Sequence, residues 1–325
     1  MLSEVVIIDS GLNRDVFRQN DAGGVRYYIE SDYINMDYKY DDDNGHGSKC
    51  AAIIKKKIAH IKIYTIKILD ENLLSSEYLL ECALEHCLAL NIKVINLSLS
   101  LVKYFNGDKI RVLCKKLYEQ DKIVVSAVEN GKNFSYPAAF DTVLGVIGNA
   151  FDKEAIYWFD KNKRIQGVAD LLPEFTEREL QGNYLFSGNS KACAWIAGQV
   201  LECASDQDSF DDVLDKLENR AECKNWEYDD ISRSYQHKEN ECIDEGILEI
   251  VKHIVLKEFE PGEDLSGMNL FECGILNEKN ILTYVYELEK QFCIKIPDGL
   301  INYRNFVSVK EITNMISVVK NDKIS

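Results

Sequence analysis

The chain has 325 residues, of which 46% are apolar and 28% charged, and a formal net charge of −16. That is the balance of a soluble globular protein with room for two domains. Such a charge argues against nucleic acid or anionic membrane as partner and favours basic peptides, or simply keeps the protein dispersed.

No apolar run approaches the roughly 20 residues that cross a bilayer, and no signal peptide opens the chain. The ten cysteines are scattered, with no CxxC pair. Reduced thiols in the cytoplasm are therefore expected. Cys82 and His86 stand four apart, as helical metal ligands can, but no second ligand pair accompanies them, and core packing is the expectation.

In chain order, residues 4–8 form an apolar run that ends in Asp9-Ser10-Gly11. Such a run reads as a buried parallel strand, and the carboxyl end of that strand is where open α/β sheets place functional groups. Residues 12–45 read as loop, ending in the acidic run Asp41-Asp42-Asp43. That run is either a solvated loop, the plainer reading, or a site for a cation such as calcium. His46-Gly47-Ser48 then opens a stretch with small residues at helical spacing, so His46 is expected on the first turn of a helix packed closely on the sheet.

Strands are predicted over 61–69, 93–100, 123–128 and 142–147, and helices over 78–90 and 110–119. Alternation of this kind implies a mostly parallel sheet with helices on both faces. Gly188-Asn189-Ser190 precedes a further apolar helical run. Ser190 is thus presented where backbone N–H groups favour a developing negative charge. A serine becomes a nucleophile when a histidine takes its proton and a carboxylate orients that histidine. His46 and Asp9 are the candidates.

Several blocks, taken together and in order, resemble the subtilisin-type serine peptidases over roughly residues 1–215. Val5-Val6-Ile7-Ile8-Asp9-Ser10-Gly11 is similar to the aspartate block of that family, and Asp42-Asp43-Asn44-Gly45-His46-Gly47-Ser48 to its histidine block. Ile95-Asn96-Leu97-Ser98-Leu99 resembles its substrate-pairing strand, and Gly188-Asn189-Ser190 its nucleophile block. Asn130, followed by Tyr136-Pro137-Ala138, resembles the oxyanion asparagine and the edge beyond it.

The resemblance implies an Asp9–His46–Ser190 triad, with Asn130 and the Ser190 N–H as oxyanion donors. It implies substrate contacts at Leu97, Ser98, Leu99, Ser100 and Glu129. The family has glycine where Ser100 and Glu129 stand. Glu129 either places a carboxylate in the pocket beside the cut bond and selects Arg or Lys, or points away and narrows that pocket. Secreted members carry a pro-domain, whereas this chain begins on the first core strand, so the resemblance implies an intracellular enzyme making limited cuts, such as leader removal. General protein turnover and a non-catalytic peptide-binding role are the alternatives.

Residues 210–217 read as a helix within an acidic, turn-rich stretch that Trp226 and Tyr228 could pack down. The expected division is a peptidase domain over 1–220, a connector over 221–241 and a helical domain over 242–325. Three apolar stripes mark that last domain: Ile247, Ile250, Val251, Ile254 and Val255; Leu282, Val285, Leu288 and Phe292; Val309, Ile312 and Ile316. It resembles the four-helix acyl and peptidyl carrier proteins through 270–276 and 285–297. The carrier attachment serine falls at Glu278, which cannot accept a phosphopantetheine arm. No cofactor is therefore expected, and a protein docking on this helical domain is the expected partner.

Overall fold

A computed structural model of the chain describes residues 2–101, 107–153, 155–180, 182, 184–232, 234–235, 243–256 and 267–322. The chain forms two compact units: Met1–Leu171 with Ser187–Tyr235, and Leu172–Phe186 with Gln236–Ser325. Among the described residues, no helix is long and apolar enough to cross a membrane.

The first unit is built on a sheet whose strands are β1 (Glu4–Asp9), β2 (Asp21–Glu30), β3 (Tyr33–Asp37), β4 (Lys62–Lys67), β5 (Val94–Leu97), β6 (Ile123–Ala127), β7 (Leu144–Asn149), β8 (Tyr157–Phe159) and β9 (Gly167–Asp170). Their order is β3-β2-β4-β1-β5-β6-β7-β9-β8. The edge pairs β2–β3 and β8–β9 are antiparallel and the strands between them run parallel. The centre of the sheet is apolar on both faces: Val5 to Ile8 are at most 1% exposed. Val6, Ile8, Ile66, Ile95 and Leu97 share a core with α2 (Glu77–Ala89) and α3 (Gly107–Tyr118). On the alternate residues of each strand lie α1 (His46–Lys57) and α4 (Gly188–Cys203), which pack on each other; α4 also packs on β5, β6, β7 and β9. The α5 helix (Phe210–Arg220) closes this unit with a reciprocal Ser209–Asp212 capping box.

The hairpin β2–β3 lies within residues expected to be loop. Its turn is Ser31-Asp32, both at positive φ (51° and 66°), the geometry that matches strand twist in two-residue hairpins. Cys82 and His86, expected in the core, are only partly buried, and His86 is held by its neighbours: its Nδ1 lies 2.9 Å from the Tyr27 hydroxyl and its Nε2 3.0 Å from the Tyr64 hydroxyl.

The second unit contains α6 (Glu245–Val255), α7 (Ile281–Phe292), the single turn α8 (Tyr303–Phe306) and α9 (Val309–Asp322), with the small hairpin β10 (Glu174–Phe175) and β11 (Leu185–Phe186). The apolar stripes point inward: Ile247, Val251, Val285, Leu288, Ile312 and Ile316 are all buried in one core. That core also takes in Phe175 and Leu185. The Phe175 N–H donates to Ile301 O, the Tyr303 N–H to Pro173 O, and Arg178 to Asp298.

Residues 172–186, expected within the peptidase domain, therefore belong to the helical unit. Of the expected connector 221–241, residues 233 and 236–241 lie outside the described residues. The remainder packs with the first unit, where Trp226 is fully buried and in edge contact with Tyr228.

Candidate active site

The site forms along the carboxyl ends of the parallel strands. Asp9 is the last residue of β1 and is fully buried. Its Oδ1 accepts from the Ser10 N–H at 2.7 Å and from His46 Nδ1 at 2.7 Å. With Nδ1 committed as donor, a neutral His46 carries its lone pair on Nε2, the tautomer a general base needs.

Burial opposes a charged His46, but the Asp9 carboxylate more than offsets it, and the imidazole pKa lies above its ordinary value. Gly47 explains how α1 comes so near β1: a Cβ there would meet Gly11 O at 2.3 Å and the Asp9 Cβ at 3.1 Å.

Asp42 fixes the start of α1. Its Oδ1 accepts from Ser10 Oγ and from the N–H groups of Asn44 and Gly45, and its Oδ2 from the N–H and hydroxyl of Ser48. Asp43 pairs with Lys67, whose ammonium also donates to Asp41 O. Asp42 is thus taken up by five hydrogen bonds at the start of α1, while Asp43 pairs with Lys67 at the surface. Asp9, His46 and Cys50 bring metal-type donor atoms within 4.8 Å of one another. Burial, however, pushes the Cys50 thiol well above its ordinary value, so it stays protonated and donates weakly to Asp9 Oδ2 at 3.7 Å.

Ser190 lies on the first turn of α4. Gly188, at φ +82°, lets that turn pass close to Asn130; a Cβ would come 3.2 Å from Asn130 Oδ1. That Oδ1 accepts the Asn189 N–H at 3.1 Å, which leaves Nδ2 as the donor of the Asn130 amide. The Asn189 side chain ties the same turn to the sheet: Oδ1 accepts from the Gly148 N–H and Nδ2 donates to Val128 O, both at 2.8 Å.

Ser190 Oγ donates to Ser98 O at 3.3 Å, and Ser98 Oγ donates to Ser190 O at 3.4 Å. These are long bonds, and catalytic hydroxyls in unliganded sites are often held loosely.

His46, Ser190, Asn130 and Glu129 line one cavity of about 590 Å³. Ser98, Leu99 and Ser100 form another part of its wall. Leu97 is a correction: it lies inside the sheet, fully buried in the core with α2 and α3, and does not line the cavity. Glu129 is partly exposed on the wall.

The facing wall was not expected. It comes from the β4–α2 connection and the start of α2, with Leu69, Leu73, Leu74, Glu77 and Leu80. The adjacent leucines at 73 and 74, apolar yet outside both a strand and a helix period, are the signal that could have pointed there.

Asp9 holds His46, His46 shares a cavity with the Ser190 hydroxyl whose proton it could take, and Asn130 with the N-terminal N–H groups of α4 can face an oxyanion. Against known proteins, residues 4–221 match the family described as Subtilase family (Peptidase_S8). The minor extracellular protease Epr of Bacillus subtilis (strain 168) is 28% identical over 155 residues, a match covering 44% of this chain and 23% of the length of Epr. The fold is similar to that of Sphericase (TM-score 0.54, 15% identity, 68% of this chain and 83% of that one). It is also similar to that of a cold-adapted subtilisin-like serine proteinase (TM-score 0.53, 15% identity, 67% of this chain and 81% of that one). The chain belongs to the subtilase family.

Proposed function

We propose that the chain is a serine endopeptidase that makes limited cuts in a specific peptide or protein, such as removal of a leader, in the cytoplasm. Ser190 Oγ attacks the scissile carbonyl as His46 Nε2 takes its proton. The charged imidazole is held by Asp9 and then gives the proton to the leaving amine. Asn130 Nδ2 and the Ser190 N–H receive the oxyanion, a contribution of about 3–4 kcal/mol per donor in such sites. The observation that carries this reading is the 2.7 Å Asp9–His46 bond beside a cavity that also holds Ser190 and Asn130.

The cavity walls support a substrate class. Glu129 supports a preference for Arg or Lys beside the cut bond, and the leucine wall supports apolar residues elsewhere in the substrate. The buried thiols Cys50, Cys87, Cys114 and Cys193 support a reducing compartment. The helical unit is proposed as a carrier-like docking module without a phosphopantetheine arm, with exposed Glu278 where the attachment serine would stand.

A second reading, a peptide-binding protein with an idle triad, is favoured by one observation: Ser190 Oγ is bonded to Ser98 O. Digestion of a peptide library with wild type and Ser190→Ala decides between them. Cleavage by wild type alone supports the peptidase, and cleavage by neither supports the idle cleft. Equal cleavage by both contradicts the mechanism.

A further inference from the structure

The residue after the nucleophile is a lysine with almost no access to water. Lys191 is 1% exposed, and its Nζ lies 2.7 Å from Asp170 Oδ2, itself on a largely buried side chain. A buried ammonium is expensive to desolvate, and a cation in the first turn of α4 also faces the positive end of the helix. An apolar side chain would fill the space at lower cost. Asp170 offsets both penalties, so the pair survives at a position where simple packing would do without it.

Its place in the chain suggests what it does. Asp170 is the last residue of β9, in register with Asn149 of β7. After Leu171 the chain leaves the first unit, and it returns at Ser187, directly before α4. A short loop therefore does not fix where the nucleophile turn meets the sheet; side chains and backbone bonds must. The Gly188 N–H donates to Leu171 O at 2.8 Å, Asn189 bridges to Gly148 and Val128, and Lys191 clamps to Asp170. Of these ties the lysine clamp is the charged one, and it is adjacent to Ser190.

We propose that Lys191, through its ion pair with Asp170, is a positioning residue that sets the register of the nucleophile turn on β9 and so places Ser190 for attack. The proposal rests on the peptidase reading above.

The test compares wild type, Lys191→Met and the double variant Lys191→Met/Asp170→Leu, with rates taken per folded molecule. In Lys191→Met, kcat is expected to fall on the order of 10²-fold, the effect of a small misplacement of a reacting group. KM is expected to stay within about threefold, because the cavity walls are untouched. Labelling of Ser190 by a fluorophosphonate slows in step with kcat. The double variant removes both charges of the pair, so it is expected to melt above Lys191→Met but to keep the low kcat and slow labelling.

A double variant with wild-type kcat would overturn the proposal, since the pair would then be dispensable filling, and so would an unaltered Lys191→Met. If neither variant folds, Lys191→Arg decides: lowered kcat at an unchanged melting temperature supports the clamp, and unchanged kcat overturns it. Wild type that neither cleaves nor labels would remove the peptidase reading and this proposal together; active wild type matched by the double variant removes the proposal alone.

Discussion

The two units differ in the polar side chains that they bury: among the described residues the charged ones lie in the first. In the second, the core cluster runs from Phe175 to Val319, and the polar side chains buried in that unit, Thr176, Asn302, Ser308 and Thr313, are neutral. In the first, a comparable core supports buried polar groups at the carboxyl ends of the strands and the start of α4: Asp9, Ser98, Asn189, Asp170 and Lys191. Buried polar groups cost stability unless each finds a partner, and these find partners at hydrogen-bond distance. Expense of that kind, concentrated at the carboxyl ends of parallel strands, separates a site from a scaffold.

The contrast can be broken most forcefully at the triad. His46→Ala or Asp9→Asn is expected to lower kcat about 10⁴-fold or more, with thermal stability less affected. Asn130→Ala should lower kcat about 10²- to 10³-fold with little change in KM, as measured by steady-state kinetics.

The pH profile sharpens the same point. His46 must be neutral to act as base, and Asp9 holds its pKa above the ordinary value. The acid limb of kcat/KM should therefore lie above the ordinary histidine range. Residual activity in Asp9→Asn should have its limb moved to lower pH, because burial then dominates. Smaller again is Glu129→Gln, expected to reduce the preference for Arg or Lys roughly 10- to 100-fold in kcat/KM with little effect on other peptides.

The second unit should answer differently. Phe175→Ala removes a fully buried ring and is expected to cost about 3–5 kcal/mol of stability by thermal or denaturant unfolding. The substitution lies inside the family-matched segment, yet the core it damages is that of the helical unit.

Part of the site is legible in the sequence because each member stands near a glycine where a regular element starts or ends. Asp9 ends β1 before Gly11, His46 follows Gly45, and Ser190 stands two residues after Gly188; each local signal is weak, and it is their order along the chain, through the family resemblance, that gives them roles. The three helical stripes are legible because period and burial coincide.

What escapes is set by distant partners. The strand 93–100 is visible, but the sequence does not say where its buried part ends, so Leu97 reads as cleft although only 98–101 reach the cavity. The β2–β3 hairpin turns on Ser31-Asp32 without a glycine. Residues 172–186 have no period that links them to partners such as Asp298, which lies 120 positions beyond Arg178.

The central claim is that Asp9 and His46 turn the Ser190 hydroxyl into a strong nucleophile. The most direct measurement is fluorophosphonate labelling followed by peptide mapping, in wild type and in folded His46→Ala. A single adduct on Ser190, formed by wild type and lost in His46→Ala, is the expected result. An unlabelled wild type, or a Ser190 adduct formed equally fast without His46, would contradict it.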